Sequence, residues 1–164
     1  MPVDIDRFVE DVVIKQAKEF LVDGQNLMPV FFMIGDTLDK EVGVLPVLMD
    51  LNEPGAKQKL VREIRKIVDE ESFHTVLFVS DAHFKQFESE TWEEALVERD
   101  KIKGRLSEDP TSREAIIVAR VTARSSSSTM IEYKRTDDGI EFNEPMANDK
   151  THSTWITNIW RDVN

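Results

Sequence analysis

The sequence predicts an α+β domain, with a single mixed or antiparallel sheet and helices packed on it. Three observations point there. Apolar residues recur at helical spacing over 5–22 and again over 60–68. Two short runs, Val30–Ile34 and Thr75–Val79, are nearly all apolar, as strands covered on both faces are. A β-branched stretch, Ala115–Ala123, then opens a series of short strands punctuated by turn residues.

The first helix spans Ile5–Val22, with Ile5, Phe8, Val9, Val12, Val13 and Ala17 forming its apolar stripe. Asp4 is its expected N-cap, because a carboxylate there accepts from a free first-turn amide. Gly24 suits the left-handed position beyond a helix end. Val30–Ile34 and the run Val42–Leu51 form an antiparallel hairpin, and Pro46 places the second strand at an edge or a bulge. A second helix starts at Asn52-Glu53-Pro54-Gly55 and reaches Glu70, burying Leu60, Val61, Ile64, Ile67 and Val68. Thr75–Val79 is the central strand. Thr91-Trp92-Glu93-Glu94 is a capping box that opens an acidic helix to Lys103, stopped by Gly104. The strand Ala115–Ala123, a polar connection Ser125–Ser128, a strand Thr129–Lys134, the turn Asp137-Asp138-Gly139 and a strand Ile140–Phe142 complete a meander.

The 164 residues suit one domain, and no repeat or linker divides them. The expected organisation is a single α+β domain over 1–145 and a C-terminal tail over 146–164 with a Trp-rich docking segment. Lys plus Arg number 21 against 32 Asp plus Glu, a net charge of −11, which disfavours a phosphate backbone as partner. Cysteine is absent, excluding disulfides, thiolate metal sites and a Cys nucleophile. Without disulfides, signal-peptide pattern or membrane-length apolar run, the chain is expected to be soluble and cytoplasmic. Phosphate-binding loops, dinucleotide fingerprints, HExxH and nucleophile-elbow motifs are all missing, so the sequence names no cofactor.

The best candidate for chemistry is Ser80-Asp81-Ala82-His83, where an apolar strand ends in polar residues. Alternation along a strand sends Asp81 and His83 the same way, giving a carboxylate that orients an imidazole base or shares a divalent metal with it. The plainer alternative is a turn-capping aspartate and a surface histidine. His74 begins the same strand and His152 lies in a polar stretch. Asp36, Asp50 and Asp81 stand near strand ends and are the oxygen ligands a magnesium or manganese ion would need. A hairpin, however, sets Asp36 and Asp50 at opposite ends. Arg120, Arg124 and Tyr133 offer charge and stacking for an anion or single-stranded nucleic acid, against the simpler reading of edge arginines. The acidic run Glu88–Asp100 suggests an inhibitor that imitates a nucleic acid, or a solvated helix face. In the tail, Trp155, Ile156, Ile159 and Trp160 form an apolar face that either completes the core or docks on a second copy or another protein.

The stretches Val76-Leu77-Phe78-Val79-Ser80-Asp81-Ala82-His83 and Pro110-Thr111-Ser112-Arg113-Glu114-Ala115-Ile116-Ile117-Val118 resemble a family of small, uncharacterised prokaryotic proteins. In that family a strand ends in a Val-Ser-Glu-Ala-Trp type sequence, and a proline and an Arg-Glu pair lead into the next strand. The resemblance spans residues 5–142. Asp81 stands for the glutamate and His83 for the tryptophan, which weighs against a required catalytic imidazole there. The resemblance implies an α+β fold and brings no activity or cofactor. The expected function is therefore a binding or assembly module, with a homodimer or another protein as partner. A metal-assisted or acid–base hydrolase using Asp81 and His83 and an acidic inhibitor of a nucleic-acid-binding partner are the alternatives.

Overall fold

The computed structural model describes residues 4–25, 27–35, 42–48, 50–51, 53–84, 93–94, 113–148, 156 and 159–160, with the backbone alone at 83, 84 and 148. Its frame is an antiparallel sheet with a helical layer on each face.

The N-terminal helix runs continuously as α1 (Ile5–Phe8), a π-helical stretch (Val9–Ile14) and α2 (Lys15–Val22). Asp4 caps it as expected, its Oδ1 accepting from the Arg7 amide at 3.3 Å. Asp4→Ala should cost about 1 kcal/mol, read as a lower denaturant midpoint. The π-helical stretch was not legible in the apolar spacing. Its wider turn moves the buried face toward Val13 and Ile14, and Val12 stays half-buried. Gly24 adopts the left-handed conformation, with φ of 79°.

Strands β1 (Val30–Gly35) and β2 (Val42–Pro46) form the expected hairpin. The second apolar run continues to Leu51, but its strand ends at Pro46. The Val47 amide donates to the Pro29 carbonyl at 2.8 Å. Hydrogen-bonded pairs alternate along an antiparallel ladder, so Pro46 takes an outward position where its missing donor costs β1 nothing. Helix α3 (Ala56–Glu71) follows, and strand β3 (Phe73–Phe84) returns beside β1. β4 (Arg113–Thr122), β5 (Ser126–Thr136), β6 (Gly139–Phe142) and β7 (Met146–Asn148) complete the order β2-β1-β3-β4-β5-β6, with β7 also on β5. Every pairing is antiparallel.

Two expectations need correcting. Ser126–Ser128, expected in a loose connection, lie within β5 opposite Ala119–Val121. The turn is tighter because the Thr122 amide donates to the Ser125 carbonyl at 2.9 Å and their hydroxyls meet at 2.9 Å. The first residues assigned to the polar tail, Met146–Asn148, pair with Ser128–Met130. Their register is offset by one residue from that of β6, as in a bulge.

Strand alternation divides the core into two layers. Phe32, Ile34, Leu77, Val79, Ile116, Val118, Ile131 and Tyr133 meet Val13, Ile14, Ala17 and Leu21 of the N-terminal helix. Phe31, Met33, Phe73, Val76, Phe78 and Val121 meet Leu60, Val61, Ile64 and Val68 of α3, together with Ile156 and Ile159. Coverage on both faces explains the unbroken apolar runs of β1 and β3. The predicted acidic helix over 91–103 lies outside the described residues apart from Glu93 and Glu94, which are helical and exposed.

Candidate functional site

Strand β3 continues through Phe84, so the polar residues that follow its apolar half stay in the sheet rather than in a turn. Asp81 pairs with Ile116 and His83 with Glu114 in the backbone register. Asp81 is exposed, while the His83 side chain lies outside the described residues. On the face carrying the N-terminal helix, Glu114 of β4 stands opposite Tyr133 of β5, and Tyr133 opposite Phe142 of β6. The Tyr133 and Phe142 rings lie 5.9 Å apart. Arg135, two residues along β5, donates from Nε to Glu114 Oε2 at 3.0 Å. Its guanidinium carbon stands 5.8 Å from the Tyr133 ring centroid, over the ring.

Tyr133 is 2% exposed, and its hydroxyl has no hydrogen-bond partner among the described residues. Burial, then the nearby Glu114 and Asp81 charges, push the phenol up to about 12, with Arg135 working weakly the other way. The group is therefore a protonated donor over the whole physiological range. The Glu114 hydrogen bond raises Arg135 above its ordinary value, keeping it cationic throughout.

Strand position decides the other candidates. The stacking surface expected at Arg120, Arg124 and Tyr133 does not exist, because Tyr133 lies in the core beneath the helical layer. Arg120 is paired through Nη1 with Asp6 Oδ1 at 2.6 Å, and Arg124 is exposed in the β4–β5 turn. His74 is engaged with the Thr75 hydroxyl at 2.8 Å. Asp50 is exposed, and Asp36 and His152 lie outside the described residues. Among the described residues no three histidine or carboxylate side chains converge as metal ligands. Ile156 and Ile159 are 4% and 1% exposed in the α3 layer, with Trp160 packed against it; Trp155 lies outside the described residues.

A cavity of about 330 Å³ opens between the N-terminal helical layer and the sheet, where sequence spacing gave no signal. Val13 from the π-helical stretch, Ala17 and Phe20 of α2, and Leu27 and Met28 form one side. Val30, Phe32, Pro46 and Val79 form the sheet side. Among the described residues, Gln16 and Gln25 are its polar lining residues and no lining side chain is charged. Phe20 and Met28 are each 48% exposed and mark the mouth, while Val13, Ala17 and Phe32 are buried. Gln25 and residues 27–29, between the helix end and β1, have no regular structure.

No protein-family model, curated protein or solved structure matches this chain. Among the described residues no helix is long and apolar enough to cross a membrane.

Proposed function

We propose that this chain is a binding module that holds a small, neutral, largely apolar molecule. The cavity between α2, the segment carrying Gln25, Leu27 and Met28, and the β1–β3 face supports this reading. Its volume is about twice the ~150 Å³ of an engineered apolar cavity that admits benzene, and within the range of small-molecule sites. The uncharged lining favours a neutral ligand, since an ion there would be stripped of water without a counter-charge. Two glutamine amides provide a donor and an acceptor for one polar end of such a molecule. The π-helical stretch contributes Val13 to the wall, a placement common for such stretches near functional sites. The cysteine-free composition fits a reducing, cytoplasmic setting.

The test is uptake of a neutral naphthylamine fluorophore by the full chain. Saturable enhancement is expected, and the anionic sulfonated analogue should bind more weakly. Ala17→Leu adds bulk inside the cavity and should weaken uptake of the neutral probe at least about tenfold while leaving the melting temperature unchanged or higher. Unaltered uptake in Ala17→Leu, or equal binding of both probes, would show surface adsorption and overturn the reading.

A further inference from the structure

The apolar cavity has a length and a direction. In the sheet register Val79 of β3 stands beside Val30 of β1, and Val30 beside Pro46 of β2. Paired residues of neighbouring strands point to one face, and all three line the cavity. Its floor therefore includes a single row of side chains that crosses three strands to the β2 edge. Two inter-strand steps make that row roughly 10 Å long. At the β3 end Val79 is buried, and at the β2 end Pro46 is exposed. Polarity follows depth. Among the described residues, the buried lining side chains are Val13, Ala17, Leu27, Phe32 and Val79, all apolar, whereas Gln16 and Gln25 are both exposed. Gly24, in its left-handed conformation, lets the Gln25 amide donate to the Phe20 carbonyl at 2.9 Å. That bond fixes the Gln25 backbone beside Phe20, at the mouth.

An apolar row with amides only at its solvent end complements a molecule that is apolar along its length and polar at one tip. Spread over that row, about 330 Å³ averages on the order of 30 Å² in cross-section. One alkyl chain or a flat ring seen edge-on fills such a section, and a puckered medium-sized ring exceeds it. We propose that the cavity takes a neutral single-chain amphiphile, a ligand class that rests on the cavity being a small-molecule site. An unbranched alkyl chain lies along Val79, Val30 and Pro46, with its end at the buried Val79. Its hydroxyl or amide head meets Gln16 and Gln25, where both the head and the glutamines keep access to water. A charged head gains nothing there, because no described lining residue carries a counter-charge.

The full chain is titrated by calorimetry with 1-butanol, 1-hexanol, 1-octanol, 1-decanol and cyclooctanol, and each alcohol is also set to displace the neutral naphthylamine fluorophore. Affinity should rise about fourfold for each added methylene and level off once the row is filled. Cyclooctanol, with as many carbons as 1-octanol, should bind at least about tenfold more weakly. Replacing both exposed amides, by Gln16→Ala together with Gln25→Ala, should weaken every alcohol several-fold. The gain per methylene and the melting temperature should stay as they were. Equal affinity for cyclooctanol and 1-octanol, or no dependence on chain length, would overturn the single-chain ligand. If the fluorophore still binds and Ala17→Leu still blocks it, the small-molecule reading survives that result. A rise with chain length that never levels off would mark partition onto the surface, and it too would overturn the proposal. Unchanged affinities in the double variant would overturn the direction assigned to the head. No binding of either the fluorophore or the alcohols would overturn both readings.

Discussion

Removing the residues after Asn148 should lower the melting temperature by well over 10 °C and leave the mass of the protein in light scattering unchanged. Ile156 and Ile159 sit in the α3 layer beside Leu60, Val61, Ile64, Val76 and Phe78, and they are as buried as the strand residues they touch. Truncating one buried isoleucine to alanine typically costs about 2–5 kcal/mol, through lost apolar burial and the cavity left behind. Losing both, with Trp160, therefore removes a large part of the ~5–15 kcal/mol that holds a domain folded. A chain of this size shifts by about 2–4 °C per kcal/mol. Ile159→Ala alone should accordingly melt roughly 6–12 °C lower, an intermediate value that keeps the test readable if the truncated chain does not fold. An unchanged melting temperature in both variants would show that the segment does not complete this core. A halved mass on truncation would show instead that it docks on a second copy.

Stability should fall by about 2 kcal/mol as the pH is raised from 10 to 12, and Tyr133→Phe should abolish that fall. The Tyr133 phenol is pushed up to about 12 in the folded protein, first by burial and then by Glu114 and Asp81. In the unfolded chain it titrates near 10. The folded state thus holds the proton more tightly, and its advantage is complete below pH 10. Above that the unfolded chain ionises first, so stability drops until the folded phenol ionises as well. Two pH units at about 1.4 kcal/mol each set the limit of the loss. About 2 kcal/mol of it falls between pH 10 and 12, because each state is half ionised at one end of that interval. Below pH 10 the variant should be about 1 kcal/mol more stable than the parent, because it no longer buries an unpaired hydroxyl. Chemical denaturation at pH 8, 10 and 12 measures both. A parent and a variant with parallel pH profiles would mean that the hydroxyl is solvated in the folded protein.

The elements legible from sequence were those whose side chains repeat a pattern. The Asp4 cap, the apolar runs of β1 and β3, the α3 stripe and the Asp137–Gly139 turn each depend on neighbours within a few residues. The serines at 126–128 misled because isolated Ser favours turns, whereas here β4 supplies a complete ladder partner. Tyr133 misled for a related reason. Its position on a strand was clear, but burial depended on which face the N-terminal helix covers. Asp81 and His83 were recognised as the polar end of a strand, and the backbone places them opposite Ile116 and Glu114. The apolar cavity left no trace in spacing or motif, because its walls come from the helix, an irregular segment and three strands that meet only in the folded chain.

By itself, the sequence determined the α+β class, the antiparallel hairpin with Pro46 at its edge, and the absence of any thiol chemistry. Those properties follow from residue type, local periodicity and the geometry of a single ladder. The tertiary structure alone decided that β3 lies between β1 and β4, that Ile156 and Ile159 close the α3 layer, and that Glu114, Tyr133 and Arg135 share one face. Each of these is a contact between segments distant in the chain. Their stability comes from burial and charge pairing, neither of which leaves a local pattern for a sequence to display.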